Sequence, residues 1–198
     1  MLWHTGNAHA EAFRQIFEPL NLPVPDYKDI AGRRTDEVII SVMTSAGIGF
    51  TSEQINAMTE VKRSLARKII SSNPPVADYC YEVLDKLSRH HRLGLVSSAS
   101  ASSVELFLQS SSTVKFFAMV MSEESVAKSK PAPDIYIEAC RRLAVKTSDV
   151  VVVEDSVNGI RAAHLAGIKV IAVRGTSPEE ELKSEGVLSV IDDLRQLL

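Results

Sequence analysis

Apolar positions fall into two regimes along the chain. Over residues 8–20, Phe13, Ile16, Phe17 and Leu20 recur at helical spacing until NLPVP breaks the pattern. Amphipathic stretches follow at Thr35–Ala46, Ser52–Ser71 and Ala77–His90; Thr35 and Ser52 are expected to cap their helices and Gly47 to stop the first of them. From Arg92 the pattern changes to short apolar runs, Leu93–Val96, Phe116–Met121, Val150–Val153 and Lys169–Val173, with Val187–Ile191 as an edge strand. Between and after these runs lie the helical patterns Pro133–Leu143, Val157–Ala166 and Pro178–Glu185. Short strands alternating with helices predict an α/β fold, a parallel sheet with helices on both faces, preceded by a helical block.

In such sheets ligands bind at the carboxyl ends of the strands, where helix N-termini also point. Three places qualify: Ser97 and Ser98 after the first run, the loop Lys128–Lys130 after the second, and Glu154 and Asp155 after the third. Two adjacent carboxylates ending a buried β-branched run need a counter-charge. A divalent metal supplies one, and Mg²⁺ suits hard oxygen ligands beside a phosphate. Alternatively, Asp155 or Ser156 caps the next helix and Glu154 turns to solvent. Lys130, stiffened by the prolines of SKPAPD, either neutralises a bound phosphate, its removal then leaving folding little affected, or is a surface lysine before a helix. Ser97 and Ser98 either offer hydroxyl and N–H donors to phosphate or are plain turn residues.

The order strand-Ser, Lys-Pro-x-Pro-Asp, strand-Glu-Asp-Ser-x-x-Gly is more specific than any of its parts. In it the chain resembles the haloacid dehalogenase superfamily, in the branch of phosphatases and β-phosphoglucomutases whose helical cap is inserted after the first strand. The resemblance implies a Rossmann-like α/β core from residues 1–9 and 78–198 with a cap at 10–77. It matches Ser97 to the phosphate ligand of the second motif, with Ser98 beside it, Lys130 to the lysine of the third, and Glu154 and Asp155 to the acidic pair that holds Mg²⁺. In the cap, IAGRRTDE looks like the segment that helps select substrate, so Arg33 or Arg34 either meets a sugar-phosphate oxygen or belongs to a solvated helix start. His9 matches a histidine near the catalytic aspartates and is otherwise a structural residue of its helix.

The family's first motif, Asp-x-Asp-Gly-[Thr/Val]-Leu-x-Asp-[Thr/Ser], is matched by Met1–Thr5 only at its tail. Met1 falls on the Thr/Val position and His4 on the third aspartate. Asp26, Asp29, Asp36, Asp192 and Asp193 do not follow a strand in the right context. The nucleophile and the central core strand are therefore expected upstream of Met1.

Composition narrows the partners. A net charge of −3 gives no basic field for nucleic acid or anionic membranes, and no apolar run approaches a membrane span or a signal peptide. Cys80 and Cys140 have no metal or CxxC spacing and read as buried thiols of a reducing compartment. The resulting expectation is a cytoplasmic, monomeric, Mg²⁺-dependent phosphatase of a small sugar or polyol phosphate. The alternatives are a sugar phosphate mutase, or a non-catalytic phosphate- and metal-binding protein.

Overall fold

The helical block forms because three amphipathic helices, joined by one short turn of helix, cannot bury their stripes singly. In the computed structural model, which describes residues 2–198, these are α1 (Gly6–Phe17), α2 (Tyr27–Ile30), α3 (Thr35–Ser45) and α4 (Ser52–Ser72). Phe13, Phe17, Val38, Ile39, Met43 and Ile55 share one apolar cluster. Two expected caps sit one residue earlier than read from sequence. Thr51, not Ser52, accepts from Gln54 N, and the Gln54 side chain accepts from Thr51 N. Thr35 is already helical and buried behind Arg34. Gly47 takes φ +69° just past α3, as a helix stop requires.

The chain enters and leaves this block side by side. Trp3 forms an antiparallel bridge to Val76, His4 N donates to Pro75 O at 3.0 Å, and Ala77 N donates to Leu2 O at 3.0 Å. Met1, assigned above to the first motif, lies outside the described residues.

The second block runs α5 (Cys80–Ser88), β1 (Leu93–Val96), α6 (Ala101–Ser111), β2 (Phe117–Met121), α7 (Asp134–Leu143), β3 (Val151–Glu154), α8 (Val157–Leu165), β4 (Lys169–Val173), α9 (Glu179–Ser184) and β5 (Ser189–Ile191). All strand pairings are parallel. β1 pairs with β2, aligning Val96 with Met121, and β4 lies between β3 and β5, aligning Val153 with Ile171. β1 and β3 are not paired to each other, so each has an unladdered edge among the described residues. The main apolar cluster lies between α7, α8 and the strands, around Met121, Tyr136, Ile160, Val170 and Leu182.

Cys80 and Cys140 are free and buried. No helix among the described residues is long and apolar enough to cross a membrane.

Candidate active site

The strand ends converge as the parallel order requires. Val96, Met121 and Glu154 each close a strand at the same end of their sheet, and a cavity of about 440 Å³ opens there, lined also by residues of α1 and α4. Ser97, Ser98, Lys130, Glu154 and Asp155 all line it.

Glu154 is 8% exposed and each of its oxygens is engaged. Oε2 accepts from Lys130 Nζ at 3.2 Å and from the Tyr136 hydroxyl at 3.1 Å, and Oε1 accepts from the Ser156 hydroxyl at 2.6 Å. Ser156 also caps α8, accepting from Gly159 N at 3.1 Å. Gly159 is what admits the carboxylate this close to the helix, because a Cβ there would lie 2.1 Å from Glu154 Cδ.

Lys130 is only 4% exposed, which removes the surface reading. Burial is the largest single influence and opposes its charge, but the Glu154 carboxylate and the Tyr136 hydroxyl together outweigh it and hold the ammonium above the ordinary lysine range. Burial likewise opposes the Glu154 charge, and Lys130 with the converging hydrogen bonds keeps that carboxyl below its ordinary value. Both directions describe one buried ion pair.

Asp155 is placed differently. Its Oδ2 accepts from the Thr176 hydroxyl at 2.5 Å, and Gly175 lies so close that a Cβ there would be 2.9 Å from the same oxygen. Burial first, and then the neighbouring Glu154 charge, push the Asp155 carboxyl up to about 6. A buried carboxylate so disfavoured is one that a cation would relieve. Among the described residues no three His, Cys, Asp or Glu side chains gather around a metal position. The donor set fits a hard divalent cation through Asp155, with other oxygens needed to complete it.

Ser97 N donates to Met121 O at 3.0 Å, and its hydroxyl accepts from Ala99 N at 3.0 Å, leaving the hydroxyl proton for a ligand. On the cap side Arg33 lines the cavity, whereas Arg34 turns to Asp36, with Nε 3.2 Å from Oδ1. His9 also lines it, stacked on Tyr27 with the ring centroids 6.1 Å apart.

Sequence reasoning missed Lys62. This α4 lysine is 4% exposed, with Nζ 2.8 Å from His9 Nδ1 and 4.3 Å from the Phe13 ring centroid. Burial drives the lysine down to about 8, and burial with the lysine charge drives His9 down to about 3, so a neutral imidazole accepts from an ammonium. A signal was present: Ile55, Thr59, Lys62, Ala66 and Ile70 form the buried stripe of α4, and a lysine on an apolar stripe is anomalous. Arg63, the next residue, pairs with Glu60 and with buried Glu123 of the core. Glu123 N in turn donates to Ala99 O at 3.0 Å, beside Ser97.

The description "haloacid dehalogenase-like hydrolase" belongs to the family profile that matches residues 1–173. The phosphorylated carbohydrates phosphatase of Thermotoga maritima is 26% identical over 196 residues, 96% of this chain and 89% of that protein. Protein SUPPRESSOR OF QUENCHING 1, chloroplastic, of Arabidopsis thaliana is 35% identical over 104 residues, covering 52% of this chain and 10% of that protein. Across the first curated relatives the matched part spans from 10% to 30% of their length. The crystal structure of β-phosphoglucomutase from Clostridium difficile superposes with a TM-score of 0.88 at 20% identity, over 100% of this chain and 89% of that one, a likeness of fold.

Proposed function

The chain belongs to the haloacid dehalogenase-like hydrolases, and on that premise we propose that it serves a Mg²⁺-dependent phosphatase of small phosphorylated sugars or polyols. The observation that carries this reading is the buried Lys130–Glu154 pair beside Asp155 and Ser97 in one cavity. The Thermotoga maritima relative, named for phosphorylated carbohydrates, supports the substrate class.

In this reading the Lys130 ammonium and the Ser97 hydroxyl hold the phosphoryl oxygens of the substrate. Asp155 holds Mg²⁺, which when bound offsets charge on the transferring phosphoryl group. The cap helices exclude bulk water, and Arg33 and Lys62 face the rest of the substrate from above. Among the described residues Asp155 is the sole aspartate lining the cavity. We therefore place the nucleophilic aspartate on a strand that pairs with the free edges of β1 and β3.

The test is hydrolysis of p-nitrophenyl phosphate and of a sugar phosphate panel with Mg²⁺, by a protein carrying an Asp-x-Asp-Gly segment before Met1. Turnover that needs both the segment and Mg²⁺ is expected. Absence of turnover with every ester would overturn the phosphatase reading. Equal turnover without the segment would overturn the placement of the nucleophile.

A further inference from the structure

The geometry points to Glu154 as the anchor of Lys130 rather than a direct metal ligand, with the Tyr136 hydroxyl as the positioning group that holds it in that role. A carboxylate offers about four lone-pair directions. Three donors from three different elements already converge on Glu154: the Lys130 ammonium from the loop before α7, the Tyr136 hydroxyl from α7, and the Ser156 hydroxyl at the start of α8. The Gly159 backbone walls off another side, since even one added carbon there would overlap the carboxylate. A dication reaching Glu154 directly would have to displace a donor and sit beside the Lys130 charge, 3.2 Å from Oε2. Asp155 carries neither obstacle: its one recorded donor is the Thr176 hydroxyl, on Oδ2.

Tyr136 also meets Lys130 directly, with Nζ 5.0 Å from its ring centroid. The ring thus steers the ammonium from below while its hydroxyl fixes the oxygen that the ammonium bonds. The adjacent carboxylates Glu154 and Asp155 divide their work accordingly, one acting on the lysine and one on the metal. Tyr136 acts through Lys130 and Glu154 and does not line the cavity.

The metal half of this inference rests on the phosphatase reading; the lysine half does not. Two measurements on the full chain separate them: Mg²⁺ affinity by calorimetry with inorganic phosphate present, and the rate of reductive methylation at Lys130 relative to the other lysines, read by mass spectrometry. For Asp155→Asn we expect Mg²⁺ affinity to fall by about tenfold or more while Lys130 methylation stays slow. Glu154→Gln should leave Mg²⁺ affinity within about threefold and speed methylation of Lys130 by about tenfold, because the ammonium loses its charge partner. Tyr136→Phe keeps the ring and removes only the hydroxyl, so it should speed methylation less than Glu154→Gln without touching Mg²⁺ affinity.

Loss of Mg²⁺ affinity in Glu154→Gln equal to that in Asp155→Asn would overturn the division of work. Unchanged Lys130 methylation in Tyr136→Phe would overturn the role of the hydroxyl, and this conservative variant stands in should Glu154→Gln not fold. If neither the parent chain nor the protein carrying the Asp-x-Asp-Gly segment binds Mg²⁺, the phosphatase reading fails, and the methylation rates still decide whether Glu154 anchors the lysine.

Discussion

Lys62 of α4 places its ammonium 2.8 Å from Nδ1 of His9. A buried cation held by a neutral ring is stable only at a cost, and that cost depends on pH.

Depressed to about 8 by burial, Lys62 binds its proton less tightly in the folded chain than at its ordinary 10.5. Its contribution to stability is therefore greatest above 10.5 and is lost as pH falls through about 8. The penalty at neutral pH is about 3 kcal/mol from a shift of this size. Urea unfolding should show Lys62→Met gaining stability over the parent at pH 7 and losing most of that gain near pH 10. Parallel stability curves for the two proteins would refute the burial of a charged lysine.

Lys130→Ala should unfold more easily by about 3–5 kcal/mol, because Glu154 is left charged and buried without its partner. The expectation from sequence is that folding is little affected, and the unfolding measurement decides between the two. Adding Glu154→Gln to a Lys130→Met background should restore most of the loss, which denaturant midpoints measured at equal slope will check.

Gly159→Ala introduces a carbon where Glu154 Cδ is 2.1 Å away, and neither the α8 backbone nor the three-donor carboxylate can easily retreat. Overpacking of this kind costs about 1–3 kcal/mol. Phosphate affinity should fall with it, since Lys130 follows Glu154. A variant with parent stability and phosphate affinity would show that the carboxylate has another place to go.

Arg63 joins α4 to Glu123, whose carboxyl burial pushes up, and Glu123 N donates to the Ala99 carbonyl. Arg63→Met should leave that acid unpaired and loosen the loop that carries Ser97. Hydrogen exchange at the residue 97–101 amides should quicken by about tenfold, consistent with a lost coupling of about 1.4 kcal/mol. Protection unchanged from the parent would mean that the loop is held by the core alone.

The strand ends were legible because short apolar runs that stop at polar residues mark the carboxyl edge of a parallel sheet. Ser97, Lys130, Glu154 and Asp155 indeed gather in one cavity. The partners of these residues were not legible. Tyr136 sits on an ordinary amphipathic stripe with Ile135, Ala139 and Cys140, and nothing local distinguishes its hydroxyl. Arg34 and Arg33 are adjacent and alike, and only the backbone turn at Gly32, φ +79°, decides which one faces the cavity. The four-residue helix α2 is too short to show a period, yet it brings Tyr27 over His9. The α4 cap shifted by one because Thr51-Ser52 offers two hydroxyls in a row.

The Trp3–Val76 bridge brings the two chain ends of residues 4–75 together, and side-chain bonds such as Arg63–Glu123 and Ser129–Glu37 hold that segment on the rest of the chain. The chain departs and returns at neighbouring points, so the segment can lengthen, shorten or be grafted without rerouting any core strand. Lys130, Glu154, Asp155 and Ser97 all lie on the side that such an exchange leaves alone, while Lys62, Arg33 and Tyr27 travel with the segment. On the proposed function, substrate preference would diverge in a lineage through that segment while the Lys130–Glu154 end of the cavity stays under separate constraint.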